Sequence, residues 1–470
     1  MYYLFYILLA LALAFFSIVS AGHALINKRD PRSSVGWIIT CLVFPLVGPL
    51  AYWGMGVNRI YSRARRWHRR GKPAPRLQHP EAPQVVAPLP EELRFLRELR
   101  VLSDRVVSSP LSPGNAIEPL ENGEDAYPAM LEAIAAAKRS VHLCTYIFDG
   151  DETGRRFVHE LKEAVQRGVV VRVIVDSLGE KYSRTTAAEL LKGTGVRFAR
   201  FLPLRPGGYL NLRNHRKILV VDGTLGFTGG MNIGDRHLSR SGERYVRDLH
   251  FRVVGPVVTD LEATFLDDWR FATGELLQAP LYPQELPGRA LVRAVSDGPD
   301  KEFRKLNWII LGAISCARQR VMIVTPYFIP DRALISALVT AALRGVAVVL
   351  VLPGKNNLPF VQWATRAYLW ELLQHGIRVY LQPPPFVHTK FMTVDGSWSL
   401  IGSANLDPRS LRLNFELNLE VYDVRFAQLL EHHCIQAMAG SHQTTLKEVD
   451  SRPLPTKLRD GAAKLFSPYL

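Results

Sequence analysis

The chain has 470 residues, 47% of them hydrophobic, and a formal net charge of +15. That length accommodates two lobes of ordinary domain size plus an accessory segment, and that charge suits an acidic partner, either phospholipid or nucleic acid. The cysteines Cys41, Cys144, Cys316 and Cys434 are scattered without CxxC spacing, which argues against a disulfide framework or a zinc site and for reduced thiols.

No acidic or basic side chain occurs from the amino terminus through Asn27, and none between Arg32 and Arg59. Both stretches are long enough to cross a bilayer, so a transmembrane helical hairpin is expected over residues 1–58, with spans at about 3–22 and 35–56. Ser20-Ala21-Gly22 would permit signal-peptide cleavage. The missing basic leader and the second apolar span directly after it favour an uncleaved anchor. Pro45 and Pro49 can kink the second span or make it re-entrant.

A basic cluster follows, comprising Arg59, Arg63, Arg65, Arg66, Arg69, Arg70 and Lys72. The positive-inside rule assigns it to the cytoplasm, where it can hold the protein against anionic headgroups. The short loop with Lys28, Arg29 and Arg32 is basic too, to a lesser degree. Two spans would place both termini and the rest of the chain on the cytoplasmic side. A nucleic-acid patch is the competing reading of the cluster, and the adjacent apolar spans favour the lipid surface. With Pro73, Pro75, Pro80, Pro83, Pro88 and Pro90 added, residues 59–108 read as a basic, Pro-rich linker.

Two related halves come next, expected as lobes over 109–288 and 289–470. In the first, a helix at 127–138 leads to a strand at 141–148, a helix ending at Gly168 and a strand at 169–176. The second repeats the order: helix 303–318, strand 321–328, a helix ending at Gly345, strand 346–352. Helix and strand alternation with glycine stops argues for α/β layers on parallel or mixed sheets.

Each half carries the same pattern, 173 residues apart: His215-x-Lys217-x4-Asp222 and His388-x-Lys390-x4-Asp395. The four residues after each lysine are mainly apolar and end in Asp-Gly, the signature of a strand and tight turn. On a strand, His215 and Lys217 share a face, as do His388 and Lys390. A turn closed by Asp222 and Leu225 sets Lys217 opposite Gly230 and His215 opposite Asn232. One closed by Asp395 and Trp398 sets Lys390 opposite Ser403 and His388 opposite Asn405. Imidazole, ammonium and amide beside a residue too small to block a ligand make a phosphate seat. Seven extended residues span roughly 23 Å, so Asp222 and Asp395 cannot reach their own histidines and read as turn or packing residues. Asp248 and Glu416, each opening a downstream strand, are the candidate carboxylates that orient the imidazoles. A single His-x-Lys is usually structural, but repetition of the whole pattern is hard to obtain without a site.

At these residues the chain resembles the phospholipase D superfamily, whose duplicated motif this is. The return segment Asn405-Leu406-Asp407-Pro408-Arg409-Ser410, the core Asn214-His215-Arg216-Lys217 and the terminal run 465–470 are similar to the bacterial cardiolipin synthase branch. Asp235-Arg236-His237-Leu238 and Lys355-Asn356-Asn357 depart from that branch's usual pattern. The resemblance implies two phospholipase D-like α/β lobes sharing one active site, with the motif residues His215, Lys217, Asp222, His388, Lys390 and Asp395 as its catalytic set. It implies a bacterial inner-membrane enzyme and a transfer of a phosphatidyl group from one phosphatidylglycerol to another, with glycerol released.

In such a site one histidine attacks phosphorus and the other protonates the leaving alcohol, then deprotonates the incoming hydroxyl. Lys217, Lys390, Asn232 and Asn405 would hold the non-bridging oxygens, beside Gly230 and Ser403. The symmetry of the pattern leaves the choice of nucleophile open, and the resemblance selects His215. No cofactor is expected and no metal, since no carboxylate cluster accompanies the motifs and lysines take the cation's place. The expected partners are phosphatidylglycerol and anionic membrane lipids, with no nucleic acid. The rival readings are a phospholipid hydrolase, a transphosphatidylase with another donor headgroup, a phosphodiesterase-type nuclease and a non-catalytic scaffold.

Overall fold

The computed structural model describes residues 2–28, 31–57, 88–203, 212–277, 282, 285–298 and 304–467. The basic cluster at 59–72, most of the Pro-rich stretch and the last three residues of the terminal run lie outside them. Two compact units divide at Pro73.

In the first unit, the Tyr2–Asn27 helix is long and apolar enough to cross a membrane. The segment over 35–56, expected as a second span that Pro45 and Pro49 kink or make re-entrant, is not one helix. Pro31–Val43 is helical, the helix is interrupted at 44–46 beside Pro45, and Val47–Ala51 runs into a π-helix at Tyr52–Gly56. Proline lacks the N–H that would continue the ladder and clashes with the preceding turn.

Among the described residues of the second unit, seventeen strands are named in chain order. The first half holds β1 (Ser112–Glu121), β2 (Ser140–Thr145), β3 (Val170–Asp176), β4 (Arg197–Phe201), β5 (Ile218–Val221), β6 (Leu225–Gly229), β7 (Val246–Arg247) and β8 (Leu249–Val254). The second holds β9 (Ala290–Asp297), β10 (Arg320–Val324), β11 (Ala347–Pro353), β12 (Arg378–Gln382), β13 (Phe386–Val387), β14 (Phe391–Val394), β15 (Trp398–Gly402), β16 (Glu416–Tyr422) and β17 (His442–Thr444).

Fifteen strands form one mixed sheet in the order β17-β12-β11-β10-β14-β15-β16-β9-β1-β8-β6-β5-β2-β3-β4. Read outward from the antiparallel β1–β9 junction, the two halves repeat the same order. β2-β3-β4 and β10-β11-β12 are the parallel parts, and the motif hairpins β5–β6 and β14–β15 are antiparallel. Each half has its own apolar core between sheet and helices. One gathers Phe148, Phe157, Val173 and Phe227, the other Ile310, Phe328, Leu350 and Trp398.

Residues 91–106, inside the expected linker, are helical and add Leu93, Leu96 and Leu99 to the second half's core. Their spacing of three puts the leucines on one helical stripe.

The register of the motif hairpins differs from expectation by one residue. Val221 pairs with Leu225, and Val394 with Trp398. Asp222 and Gly223 take φ of +53° and +68°, Asp395 and Gly396 +52° and +58°, and Thr224 and Ser397 join them, so three residues close each turn rather than two. Gly229 and Gly402 then end β6 and β15 at φ of +149° and +146°. A Cβ at Gly402 would lie 2.4 Å from the Leu417 carbonyl oxygen, so the backbone approach there needs glycine.

Candidate active site

The two motifs meet through a crossed pair of short parallel bridges. The segment leading into each histidine pairs with the segment leading into the other half's carboxylate: Asn214 bridges Phe415, and β13 pairs with β7. The His215 N–H donates to the Phe415 carbonyl at 2.9 Å, and the His388 N–H to the Arg247 carbonyl at 2.7 Å. The next residues are Glu416 and Asp248, so each carboxylate is delivered to the histidine of the opposite half. Nδ1 of His215 lies 3.2 Å from Glu416 Oε2, and Nδ1 of His388 lies 2.8 Å from Asp248 Oδ2. Both carboxylates are buried, Glu416 completely. With Nδ1–H donating to a carboxylate, Nε2 of each ring is the free, reactive end.

Lys217 and Lys390 are also buried. Lys217 Nζ donates to the His215 carbonyl at 2.6 Å, and Lys390 Nζ to the His388 carbonyl while lying 2.9 Å from that ring's Nδ1. Burial pulls Lys217 down to about 7 and Lys390 down to about 8, against the attraction of the neighbouring carboxylates. Burial also lowers both histidines, with Lys217 adding to the effect at His215 and Lys390 adding to it at His388, where the depression is larger. A neutral His215 beside cationic amines is the starting state a nucleophile and an anionic ligand require.

Ser403 Oγ donates to Glu416 Oε2 at 2.5 Å, and its carbonyl lies 3.2 Å from His215 Nδ1. At Gly230, the counterpart position, a Cβ would lie 2.5 Å from the Asp248 carboxylate. Asn232 Oδ1 accepts the Ile147 N–H at 3.1 Å, and its carbonyl accepts the Tyr127 hydroxyl at 2.8 Å, which leaves the amide's donor end for a ligand. Asn405 is buried, its Oδ1 without a hydrogen-bond partner among the described residues.

Asp222 and Asp395 lie at the far ends of the strands. Each carboxylate accepts three successive backbone N–H groups, from Lys138, Arg139 and Ser140 in one case and Arg318, Gln319 and Arg320 in the other, all within 2.7 to 2.9 Å. Though they complete the signature, neither contacts its histidine: they clamp the turns entering β2 and β10.

Other residues of the site escaped the sequence reading. The Tyr146 ring lies 5.4 Å from His215 and 5.7 Å from Lys217 Nζ. Tyr327 is its counterpart, 6.1 Å from His388. Each follows the first parallel strand of its half, so their matched place in the repeat was the available signal. A second layer holds the first motif. Asp176 accepts the Asn214 N–H at 2.9 Å, and Asp268 takes the Asn214 amide at 2.8 Å and the Arg216 guanidinium at 2.5 Å. Paired in this way, the buried Arg216 avoids the penalty of an isolated charge. His237 and His250 are buried on the Asp248 side, held neutral by burial down to about 3 and about 4.

The family described as "Cardiolipin synthase, PLD-like domain" matches residues 130–269 and 310–438, and the family "Phospholipase_D-nuclease N-terminal" matches 9–53. A cardiolipin synthase of Oceanobacillus iheyensis is 32% identical over 95% of this chain and 95% of its own. The major cardiolipin synthase ClsA of Bacillus subtilis is 32% identical over 94% and 95%. A crystal structure of phosphatidylserine synthase from Haemophilus influenzae, 18% identical, shares the fold with a TM-score of 0.63 over 79% of this chain and all of that one. With two intact His-Lys pairs in two halves that complete each other, the chain belongs to the cardiolipin synthase family of the phospholipase D superfamily.

Proposed function

We propose that this protein is a cardiolipin synthase that transfers a phosphatidyl group from one phosphatidylglycerol to the terminal hydroxyl of another, releasing glycerol. The carrying observation is the crossed pair of His–carboxylate contacts, which gives two imidazoles with free Nε2 atoms in one cation-lined site. In the first step, Nε2 of His215 attacks phosphorus while Nε2–H of His388, in its protonated form, gives its proton to the departing glycerol oxygen. A phosphatidyl-histidine remains. His388, now neutral, takes the proton of the incoming lipid hydroxyl, whose oxygen attacks phosphorus and frees His215. Lys217, Lys390, Asn232 and Asn405 stabilise the charge that builds on the non-bridging oxygens.

The choice of His215 as nucleophile follows the family and has electrostatic support. The adduct carries positive charge on its imidazole, and Glu416 is the better counter-ion. Burial would raise Glu416, but His215 and Lys217 overcome it and hold the carboxyl below its usual range, whereas burial leaves Asp248 raised. Anchoring by the Tyr2–Asn27 helix, with the lobes on the cytoplasmic face of a bacterial inner membrane, suits a reaction between two lipids. A dry interfacial site favours a lipid alcohol over water.

The test is turnover of labelled phosphatidylglycerol in mixed micelles, with products resolved by mass. Cardiolipin with one free glycerol per product is expected. Phosphatidic acid alone would replace this reading with a hydrolase, and no turnover until another headgroup is supplied would replace the donor.

A further inference from the structure

We infer that residues 31–57 form a re-entrant hairpin seated in the lipid of one leaflet, so that the chain crosses the membrane once, through Tyr2–Asn27, and continues beyond residue 57 on the same side as Lys28. The inference rests on the reading of Tyr2–Asn27 as a spanning helix, and otherwise on contacts inside the amino-terminal unit.

The contacts order the three segments along the first helix. Pro31–Val43 runs back antiparallel to it, with Ser34 Oγ donating to the Ala24 carbonyl at 3.4 Å and the Pro45 carbonyl accepting from Ser17 Oγ at 3.1 Å. After the break the chain reverses. Trp53 Nε1 donates to Ser20 Oγ at 2.9 Å, the Tyr52 hydroxyl meets His23 Nδ1 at 2.7 Å, and the Gly56 carbonyl accepts from Lys28 Nζ at 2.5 Å. The last residues of the segment have therefore returned to the level of Lys28. Gly48 makes the reversal possible, since a Cβ there would lie 2.1 Å from the Thr40 carbonyl oxygen.

The depth follows from helix geometry. At 1.5 Å per residue the first helix is about 39 Å long, enough for a hydrocarbon core of about 30 Å, while the level of Ser17 is only about 15 Å from Asn27. The hairpin tip thus reaches about the midplane. Its residues say the same. Phe44, Leu46, Val47 and Leu50 are each more than half exposed, and residues 33–57 include no charged side chain. A loop emerging on the far side would present polar groups to water. Part of the tip's backbone is paired as hydrocarbon demands, with Phe44 N–H on Thr40, Gly48 N–H on Phe44 and Leu50 N–H on Leu46. Beyond the tip, residues 2–12 of the first helix are exposed throughout, as expected of a lone spanning helix in lipid.

Charge agrees. With one crossing, Lys28, Arg29 and Arg32 share a side with the seven basic residues between Arg59 and Lys72, and the opposite side carries no charged side chain of residues 1–27. Two crossings would set the two basic groups on opposite faces, against the positive-inside rule.

The test is cysteine labelling of the full chain, its four native cysteines replaced by alanine, with a membrane-impermeant maleimide in sealed vesicles of both orientations. Asp30→Cys and Ser62→Cys are expected to label from one face, Tyr3→Cys from the other, and Phe44→Cys and Val47→Cys from neither. Labelling of Asp30→Cys and Ser62→Cys from opposite faces, or of the tip from the Tyr3 face, overturns the hairpin while leaving the anchor. Recovery in the soluble fraction, or Tyr3→Cys on the Ser62 face, overturns the single crossing itself. Should the alanine background misfold, protease access to an amino-terminal tag on the unaltered chain reads the same Tyr3 face. Shielding of that tag whenever the lobes are cleaved supports the inference, and cleavage of both from one face overturns it.

Discussion

The two halves of the active site share a topology but not a chemistry. On the Glu416–His215 side, a longer carboxylate is gripped by the Ser403 hydroxyl, the motif is braced by Arg216 and Asp268, and the carboxyl stays below its ordinary range. On the Asp248–His388 side, Gly230 replaces the serine, Thr389 replaces the arginine, and the buried His237 and His250 stand near a carboxyl that burial has raised. The difference teaches that one side is built to keep a fixed negative charge, which suits a histidine that bears phosphorus. The other, in the proposed mechanism, lets a proton come and go.

The hardest blow to that comparison is removal of the rings. His215→Ala and His388→Ala are each expected to lower turnover by roughly 10⁴-fold, and the double variant little further, because the residues act as a unit. The rings differ in what can be trapped. Label from the phosphatidyl group should accumulate on His215 in the His388 variant given a donor with a good leaving group. Label on His388 in the His215 variant would reverse the assignment.

Replacing the carboxylates comes next. Glu416→Gln is expected to cost about 10²- to 10³-fold in kcat and Asp248→Asn less, since imidazole-orienting partners are worth between the 10- to 100-fold of a supporting ligand and the 10⁴-fold of a triad aspartate. The crossing is visible in rapid-quench kinetics with a donor whose leaving group needs no proton: Glu416→Gln should still slow formation of the adduct as a defect of His215, and Asp248→Asn should slow only its turnover as a defect of His388.

A smaller effect reads both sides at once. Lys217 and Lys390 are lowered to about 7 and about 8, so each loses its charge as pH rises through those values rather than near 10.5. The kcat/KM profile should fall on its alkaline limb between about pH 7 and 8, and a limb that stays flat to pH 9 would contradict the buried-lysine geometry. The limb of kcat should lie higher, because a bound phosphodiester anion favours the charged amines.

Least in size is Ser403→Gly, which makes the second half resemble the first. Loss of a hydrogen bond to a buried carboxylate costs about 1.5–3 kcal/mol, to be read as a Tm lower by several degrees with the fold kept. An unchanged Tm would show that the hydroxyl does not grip Glu416.

Much of this was legible in the sequence because repetition is legible. The duplicated motif, the alternation of strands and helices and the carboxylate candidates all follow from residues close together in the chain. What escaped depends on distance. Nothing local tells which half receives Glu416, 201 residues from His215. The hairpin register slipped because an Asp-Gly turn can close with two or three residues, a choice made by the neighbouring strands. Leu93, Leu96 and Leu99 went unread because prolines and arginines around them pointed to a linker. The second apolar segment has the composition of a span, and only its contacts with Ser17, Ser20 and His23 show that it turns back.

The two halves lie in one polypeptide as well as in one sheet joined at the β1–β9 pair. A symmetric pair of identical chains would have to carry the same residue at both copies of every position. Any change that helped the donor step would then be imposed on the acceptor step as well. Joined in a single chain, the halves can be mutated independently, so Gly230 and Ser403, or Thr389 and Arg216, are free to serve opposite ends of the proposed reaction.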